Sequence, residues 1–260
     1  MAFTTINDPS VHFHTQLYTG TGSLNSVTND AHAGDFKPDW IQIKNRSQGW
    51  SNIVFDSTRG TNKALFTPAN DGDTTNNARG YLSAFNTDGF TVGAGSAGSD
   101  NVNTNGNNYV AWQWKANGGT TSTNSDGTVN VTIQVNSTAG FSIMKWNGNG
   151  TSSGTVGHGL GAIPDMIINK YGLDGTSNWS VAFPKFETSK LLTLNSNSAF
   201  GTASGMSGYT SSVFTDGNGA ATGGTIAYCF KNIQGYSKFG SYTGNNSTDG
   251  PFVSQSRSVS

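Results

Sequence analysis

The feature that most constrains this chain is a strongly alternating segment that occurs twice. Residues 109–115, Tyr-Val-Ala-Trp-Gln-Trp-Lys, align without gaps on residues 225–231, Thr-Ile-Ala-Tyr-Cys-Phe-Lys. In both copies large apolar side chains alternate with smaller or polar ones, which is the period of a β-strand. An internal repeat of this kind predicts two related β units built from one chain.

The alternation also divides each strand into two faces. One face, here called the aromatic face, carries bulky side chains in both copies: Val110, Trp112 and Trp114, then Ile226, Tyr228 and Phe230. We expect the aromatic face to form the core of a sandwich of two sheets, with Gln113 and Cys229 on the outward side. On this interpretation Trp112 is a core residue and Cys229 an incidental free thiol.

Further landmarks recur upstream of both strands in the same order. Their offsets are similar, so the copies differ mainly by insertions in loops. The matched pairs are Tyr18-Thr-Gly-Thr-Gly22 with Trp146-Asn-Gly-Asn-Gly150, Pro38-Asp39 with Pro164-Asp165, Lys44 with Lys170, Trp50-Ser51 with Trp179-Ser180, and Phe85-Asn-Thr-Asp-Gly89 with Phe214-Thr-Asp-Gly217.

These landmarks predict an all-β protein with two tandem β-sandwich lobes from an internal duplication. The predicted boundaries are 1–117 for the first repeat, 118–127 for a Gly/Ser/Thr/Asn linker and 128–260 for the second repeat. The start of a third repeat is predicted at 235–250, either as the remnant of a longer array or as a strand that closes a sheet edge. Another hydrophilic stretch, 93–108, is predicted as a long loop suited to binding.

Composition supports the all-β prediction and excludes several functions. Gly, Asn, Ser and Thr total 127 of the 260 residues, while Leu occurs nine times and Glu once. Such a chain favours strands and turns over helices. A net charge of −1 offers no basic surface for nucleic acid, and the absence of a long apolar run argues against membrane insertion and a signal peptide.

Two tryptophans are the candidate ligand contacts. Aromatic rings can stack on sugar rings, and Trp50 and Trp179 are each followed by serine in the proposed repeat. Core packing is the alternative interpretation for both. A host cell-surface glycan is the ligand that such contacts would fit.

Other motifs that could carry chemistry are better explained by the composition. Gly150-Thr-Ser-Ser-Gly154, with His158 nearby, matches the hydrolase elbow but lacks the strand before it and the helix after it. His12 and His14 would share one face of a strand, but the sequence offers no third metal ligand. We therefore predict no catalytic residues and no metal site carried by histidine.

Acidic residues give two weaker alternatives. Asp71-Gly-Asp73 and residues 100–105 could supply oxygen ligands to Ca²⁺, although Asp and Asn are also ordinary turn residues. The only glutamate, Glu187, has no matching acid in the first copy, so a pair of carboxylates for glycoside hydrolysis is not indicated. The prediction is that no cofactor is required.

Taken together, these motifs resemble a repeat family of marine bacteriophages whose members are tail-fibre-like virion proteins. The resemblance rests on the motifs above together with Phe3-Thr-Thr-Ile-Asn-Asp-Pro-Ser10, Phe36-Lys-Pro-Asp-Trp-Ile-Gln-Ile-Lys-Asn-Arg46 and Phe55-Asp-Ser-Thr-Arg-Gly60. It covers almost the whole chain and implies lectin-like (concanavalin A-like) jelly-roll lobes. It brings no catalytic residues.

The function expected from this resemblance is a non-enzymatic structural protein on the virion exterior, made in the host cytoplasm. A tail-fibre or adhesin component that contributes to host attachment is the leading hypothesis. A capsid decoration protein is the alternative, since the chain has no fibrous shaft, and a polysaccharide-degrading enzyme is a third. The expected partners are other virion structural proteins and further copies of this chain, with a trimer as one arrangement.

Overall fold

The structure is a computed structural model that describes residues 5–30, 35–75, 77–99, 101–148, 153–202, 205–217 and 223–251. Nearly all regular structure is β, apart from two single-turn 3₁₀ helices at Pro9–Val11 and Asn77–Arg79. The strands are β1 (Phe13–Thr19), β2 (Asn25–Val27), β3 (Trp40–Asn45), β4 (Ile53–Asp56), β5 (Leu65–Phe66), β6 (Tyr81–Phe85), β7 (Phe90–Gly93), β8 (Asn108–Trp114), β9 (Ser122–Asn124), β10 (Val131–Asn136), β11 (Phe141–Trp146), β12 (Gly154–Gly157), β13 (Met166–Tyr171), β14 (Trp179–Phe183), β15 (Glu187–Thr193), β16 (Gly201–Thr202), β17 (Met206–Ser207), β18 (Val213–Asp216) and β19 (Thr225–Phe230).

Each half of the chain forms a sandwich of one large and one small antiparallel sheet. In the first lobe (β1–β8) the large sheet has the order β1-β8-β3-β4-β5 and the small sheet β2-β7-β6. In the second lobe (β9–β19) the order is β16-β15-β14-β13-β19-β11-β10-β9, with a small sheet β12-β18-β17. The all-β sandwich prediction is confirmed, while the finer likeness to a lectin-type jelly roll stays a prediction.

The strand order is the same in the two lobes. The run β11-β19-β13-β14-β15 follows the same sequence of elements as β1-β8-β3-β4-β5, and the small sheets correspond strand for strand. The strand registers align Phe13 with Phe141 and Trp114 with Phe230. A common topology is what an internal duplication requires, although the duplication itself stays a prediction.

The core of each sandwich lies on the side of β8, or of β19, that was predicted to face outward. Tyr109 and Ala111 pack with Phe90 inside the first lobe, and Ala227 and Cys229 pack inside the second. The prediction that the aromatic face forms these cores was wrong. The small side chains of Ala111 on β8 and Ala227 on β19 allow the aromatic and aliphatic residues of the small sheets to pack close to these strands.

The aromatic face instead packs lobe against lobe. A third cluster joins Trp40, Val54 and Leu65 of the first lobe to Trp179, Tyr228 and other apolar residues of the second. The rings of Trp40 and Tyr228 meet edge to face with their centroids 5.6 Å apart. The molecule is therefore a stack of four β layers in which the two large sheets form the middle pair.

Two of the predicted segments differ from expectation. The linker 118–127 contains β9, which pairs with β10 at the edge of the second large sheet. The predicted start of a third repeat forms only an isolated bridge between Ile233 and Ser237, and residues 239–250 contain no strand. In each lobe the first strand of the repeat, β1 or β11, pairs with β8 or β19. A further strand of this kind cannot pair with β19, because β11 and β13 already occupy both of its edges.

Candidate functional site

The side of the first large sheet that carries the aromatic face of β8 is only partly covered by the second lobe. We call its uncovered part the open face. The strand registers of β1, β8 and β3 place five residues there: Thr15, Leu17, Gln42, Lys44 and Trp112. Thr15 and Leu17 are exposed, and the other three are half-buried. Trp112 lies opposite both Thr15 and Gln42, so its half-buried indole is flanked by a hydroxyl and an amide.

Trp50 lies beside the open face. The Lys44 ammonium group donates a hydrogen bond to the Trp50 carbonyl, which fixes the loop between β3 and β4 to this surface. The Trp50 side chain is half-buried. The predicted ligand contact at Trp50 is therefore sterically accessible, and it stays a prediction.

The chemistry of the open face suits a carbohydrate. An indole face attracts the C–H groups of a sugar ring, whereas neighbouring hydroxyl, amide and ammonium groups can bond the ring hydroxyls. Because Gln42, Lys44 and Trp112 lie on paired strands, the sheet holds their backbones in place before any ligand binds. Trp112 was predicted from the alternation to be core, and only its position on a partly uncovered face makes it a candidate contact.

Trp179 has a different environment. Its side chain is 1% exposed within the interlobe cluster, and its indole N–H donates to the carbonyl of Phe66 over 3.1 Å. A glycan could not reach this ring without separating the lobes. Trp179 lies opposite Lys170 in the second lobe, and the register of the first lobe places Asn52 opposite the matching Lys44. The position equivalent to Trp179 is therefore Asn52, two residues away from Trp50.

A buried ionic network lies at the lobe junction. The Arg59 guanidinium contacts the Asp56 carboxylate at 2.5 Å, and the Tyr228 hydroxyl donates to the same carboxylate over 2.7 Å. Burial acts to lower the pKa of Arg59, but the charges of Asp56, Tyr228 and Asp73 and the hydrogen bond to Asp56 together outweigh it, and the pKa is raised. Burial also raises the pKa of Tyr228 well above its ordinary value. The network joins β4 to β19 and serves as a polar clamp between the lobes.

Lys170 lies close to this clamp and is fully buried. Its ammonium group donates to the carbonyls of Tyr171 over 3.0 Å and Asn70 over 3.3 Å, and the second bond crosses between lobes. Burial lowers the pKa of Lys170 to about 8, although the carboxylates of Asp71 and Asp73 partly oppose the shift. Lys170 thus connects the 69–75 loop of the first lobe to β13 of the second.

The repeated Pro-Asp landmark has a structural role that the sequence did not reveal. The Asp39 carboxylate is fully buried and accepts hydrogen bonds from the backbone N–H groups of Ala116, Gly118 and Gly119 at 2.6–2.7 Å, and one from Ser57. These N–H groups follow directly after β8. Asp39 therefore fixes the point at which the chain leaves the first lobe.

Asp165 has the equivalent role in the second lobe. It accepts hydrogen bonds from the backbone and side-chain N–H groups of Asn232, and its carboxylate pairs with Lys185 at 2.8 Å. In both lobes the backbone N–H of the aspartate also donates to the last strand, from Asp39 to Trp114 and from Asp165 to Phe230. In both lobes the Pro-Asp landmark thus fixes the end of the last long strand, β8 or β19.

The three histidines in the described part of the chain, His12, His14 and His158, take part in structural contacts. The His12 ring bonds the Asn136 amide across the lobe junction at 3.0 Å, and the His14 ring bonds Gln16. His158 is fully buried, its ring bonds Thr210 and Leu160 backbone atoms, and burial lowers its pKa. Residues 150–152 of the hydrolase-like motif lie outside the described part of the chain.

The remaining acid and thiol candidates are accounted for in the same way. The Asp73 carboxylate lies within 4 Å of the charged groups of Lys63 and Arg59. Asn103 is buried, and its side-chain oxygen accepts hydrogen bonds from the Thr21 N–H and the Asn25 amide. Asp100 lies outside the described residues. Among the described residues no group of three His, Cys, Asp or Glu side chains could hold a metal ion. Cys229 is a free buried thiol whose pKa is raised by burial.

Comparison with known families gives one match. A family model described as a domain of unknown function, DUF7483, covers residues 8–256. The chain belongs to the DUF7483 family. No curated protein and no solved structure matches the chain. Because the matched region includes both sandwiches and their junction, the DUF7483 unit corresponds to the four-layer stack rather than to one lobe. None of the described helices is long and apolar enough to span a membrane.

Proposed function

We propose that this DUF7483 protein is a non-enzymatic structural component of the exterior of a bacteriophage particle. Its role is that of a tail-fibre or adhesin component that binds a glycan on the host cell surface. The resemblance of its repeated motifs to tail-fibre-like virion proteins supports the particle, and the open face supports the ligand. The observation that carries the binding proposal is the half-buried Trp112, held on paired strands in the open face to which Lys44 also ties the Trp50 backbone.

Location on the particle is tested by gold-labelled antibody against the protein on purified phage. Label at the tail tip or fibres agrees with host attachment. Label over the head would instead support the alternative, a capsid decoration protein, which the compact stack of two lobes favours. Absence of the protein from washed particles would contradict both.

Glycan binding is tested with Trp112→Ala and Trp50→Ala, measured as binding of labelled protein to host cells and to extracted surface polysaccharide. We expect about fivefold weaker binding from each, since stacking on one aromatic ring contributes on the order of 1 kcal/mol. Leu24→Ala, at an exposed apolar residue outside the open face, is the matched control. Equal binding by all three variants and the parent would refute the role of the open face.

The enzyme alternative depends on Glu187. Hydrogen bonds from Ser189 lower the pKa of Glu187, whereas a general acid needs a raised pKa. We therefore expect host polysaccharide to keep its chain length after incubation with the protein. Depolymerisation that disappears in Glu187→Gln would overturn the non-enzymatic proposal.

A further inference from the structure

The outer edge of β1 differs from every other sheet edge in the described residues. The other strands that end a sheet are two to five residues long: β5, β16, β9, β2, β6, β12 and β17. The longest of them, β6, carries a bulge between Leu82 and Ala84. By contrast β1 has seven residues, pairs with β8 without any irregularity and contains no charged residue or proline. Shortness, bulges, charge and proline are the usual protection against edge pairing, and β1 has none of them.

The hydrogen bonds show which backbone groups face outward. The Lys115 N–H donates to His12 O, and the Gly20 N–H donates to Asn107 O, so even-numbered residues of β1 point toward β8. The N–H and C=O groups of Phe13, Thr15, Leu17 and Thr19 therefore point to the open edge. No backbone hydrogen bond reaches these groups from the described residues, although side chains of Gln16 and Asn25 bond the carbonyls of Leu17 and Thr19.

The second lobe shows what covers the equivalent edge. There β10 pairs antiparallel with β11, the counterpart of β1, and places Asn136 opposite Phe141 and Gln134 opposite Ile143. These two positions of β11 correspond to Phe13 and Thr15 of β1. An antiparallel strand beside the opening strand is thus part of this fold, and the first lobe lacks one among the described residues.

We propose that the occupant of this edge is β1 of a second copy of the chain, related by a two-fold axis. With Thr15 opposite Thr15 of the other copy, Phe13 lies opposite Leu17, and six backbone hydrogen bonds can form, of which two displace the Gln16 side chain from Leu17 O. Each Phe13 side chain then packs across the strands on Leu17, which is 54% exposed in the single chain. β1 itself has no Asp, Glu, Lys or Arg residue. A charged group beside it is the exposed carboxylate of Asp30, 4.0 Å from the His14 ring.

The same pairing joins the two large sheets into one and brings two open faces side by side. The proposal rests on the edge of β1 alone and does not depend on glycan binding or on a phage origin. The exposed segment around Tyr242, which is 70% exposed, is another extended stretch that could reach such an edge. Pairing of this segment with β1 would overturn the two-fold arrangement.

Self-association of the full chain is measured by sedimentation equilibrium. We expect a dimer that is weakened about tenfold or more by Leu17→Lys, which places two charges at the pairing edge. Leu24→Lys is the matched control at a leucine that is 67% exposed and outside β1, and it should dimerise like the parent. Thr15→Pro removes an outward N–H and no bond to β8, so it should keep the fold by circular dichroism while losing the dimer.

Register is tested with nitroxide labels on Thr15→Cys and Thr19→Cys, since the only natural cysteine, Cys229, is buried. The two-fold register places the backbones of Thr15 in adjacent strands and those of Thr19 on the order of 27 Å apart. Three results would each overturn the proposal. The protein could be a monomer at all concentrations, or its dimer could be insensitive to Leu17→Lys and Thr15→Pro. The third result is a short distance from Thr15 to a label at Tyr242 in place of the short distance between the two Thr15 labels.

Discussion

Replacement of Trp179 by alanine tests the assignment of the aromatic face to the lobe junction. The indole is 1% exposed among apolar residues of both lobes, and its N–H satisfies the Phe66 carbonyl. Removing a buried tryptophan side chain costs about 3–5 kcal/mol, and a buried carbonyl left without a donor adds about 1 kcal/mol or more. We expect Trp179→Ala to lose about 4–6 kcal/mol, which is a large part of the stability of an ordinary domain.

The assay is urea unfolding followed by circular dichroism, with Trp50→Ala as the control. Trp50 is half-buried beside the open face, so its loss should cost less than about 1–2 kcal/mol. If the junction couples the lobes, the parent unfolds in one transition and Trp179→Ala shows two. A loss at Trp179 that is no larger than the loss at Trp50 would refute the interlobe assignment.

Three further predictions concern buried polar groups. Burial lowers the pKa of Lys170 to about 8, so above that pH the unfolded chain binds one proton more than the folded chain, and the free energy of unfolding should increase by up to about 1.4 kcal/mol per pH unit from about pH 8 toward pH 10. In denaturant titrations Lys170→Met should remove this increase, and an unchanged dependence on pH would contradict a buried amine. Asp39→Asn should lose about 2–4 kcal/mol in the same assay, since an amide cannot accept all four bonds, whereas Asn at the exposed Asp35 should be neutral. The Cys229 thiol should not react with an aromatic disulfide reagent until denaturant is added, and rapid reaction of the native protein would show that the second core is open.

Much of the architecture could be predicted from the sequence because local periodicity and repeated landmarks determine it. The alternation in 109–115 and 225–231 placed β8 and β19 correctly, and the order of landmarks matches the common strand order of the lobes. Periodicity separates two faces of a strand but does not say what each face packs against. In β19 all six residues are buried, and the absence of a strongly polar residue in Thr225–Phe230 is the signal that both faces are covered.

The candidate site was less predictable because it depends on how the lobes pack. Trp50 and Trp179 are each followed by serine, yet one is half-buried at a loop and the other is enclosed between lobes. Trp112 was expected in a core, and its partial exposure depends on how far the second lobe covers the first, which no local pattern encodes. The hydrogen bond from Tyr228 to Asp56 joins residues that are 172 positions apart in sequence, so this pairing emerges only from the folded chain.

The junction between the lobes has an evolutionary consequence. At the junction each lobe shields apolar residues of the other from water, so neither junction surface can change alone without loss of complementarity. Where two lobes meet in this way the stable unit is the pair, and exchange of a single lobe between homologues would leave mismatched surfaces at the contact between Trp40 and Tyr228. We therefore expect recombination within such genes to preserve lobe pairs and substitutions at these two positions to covary.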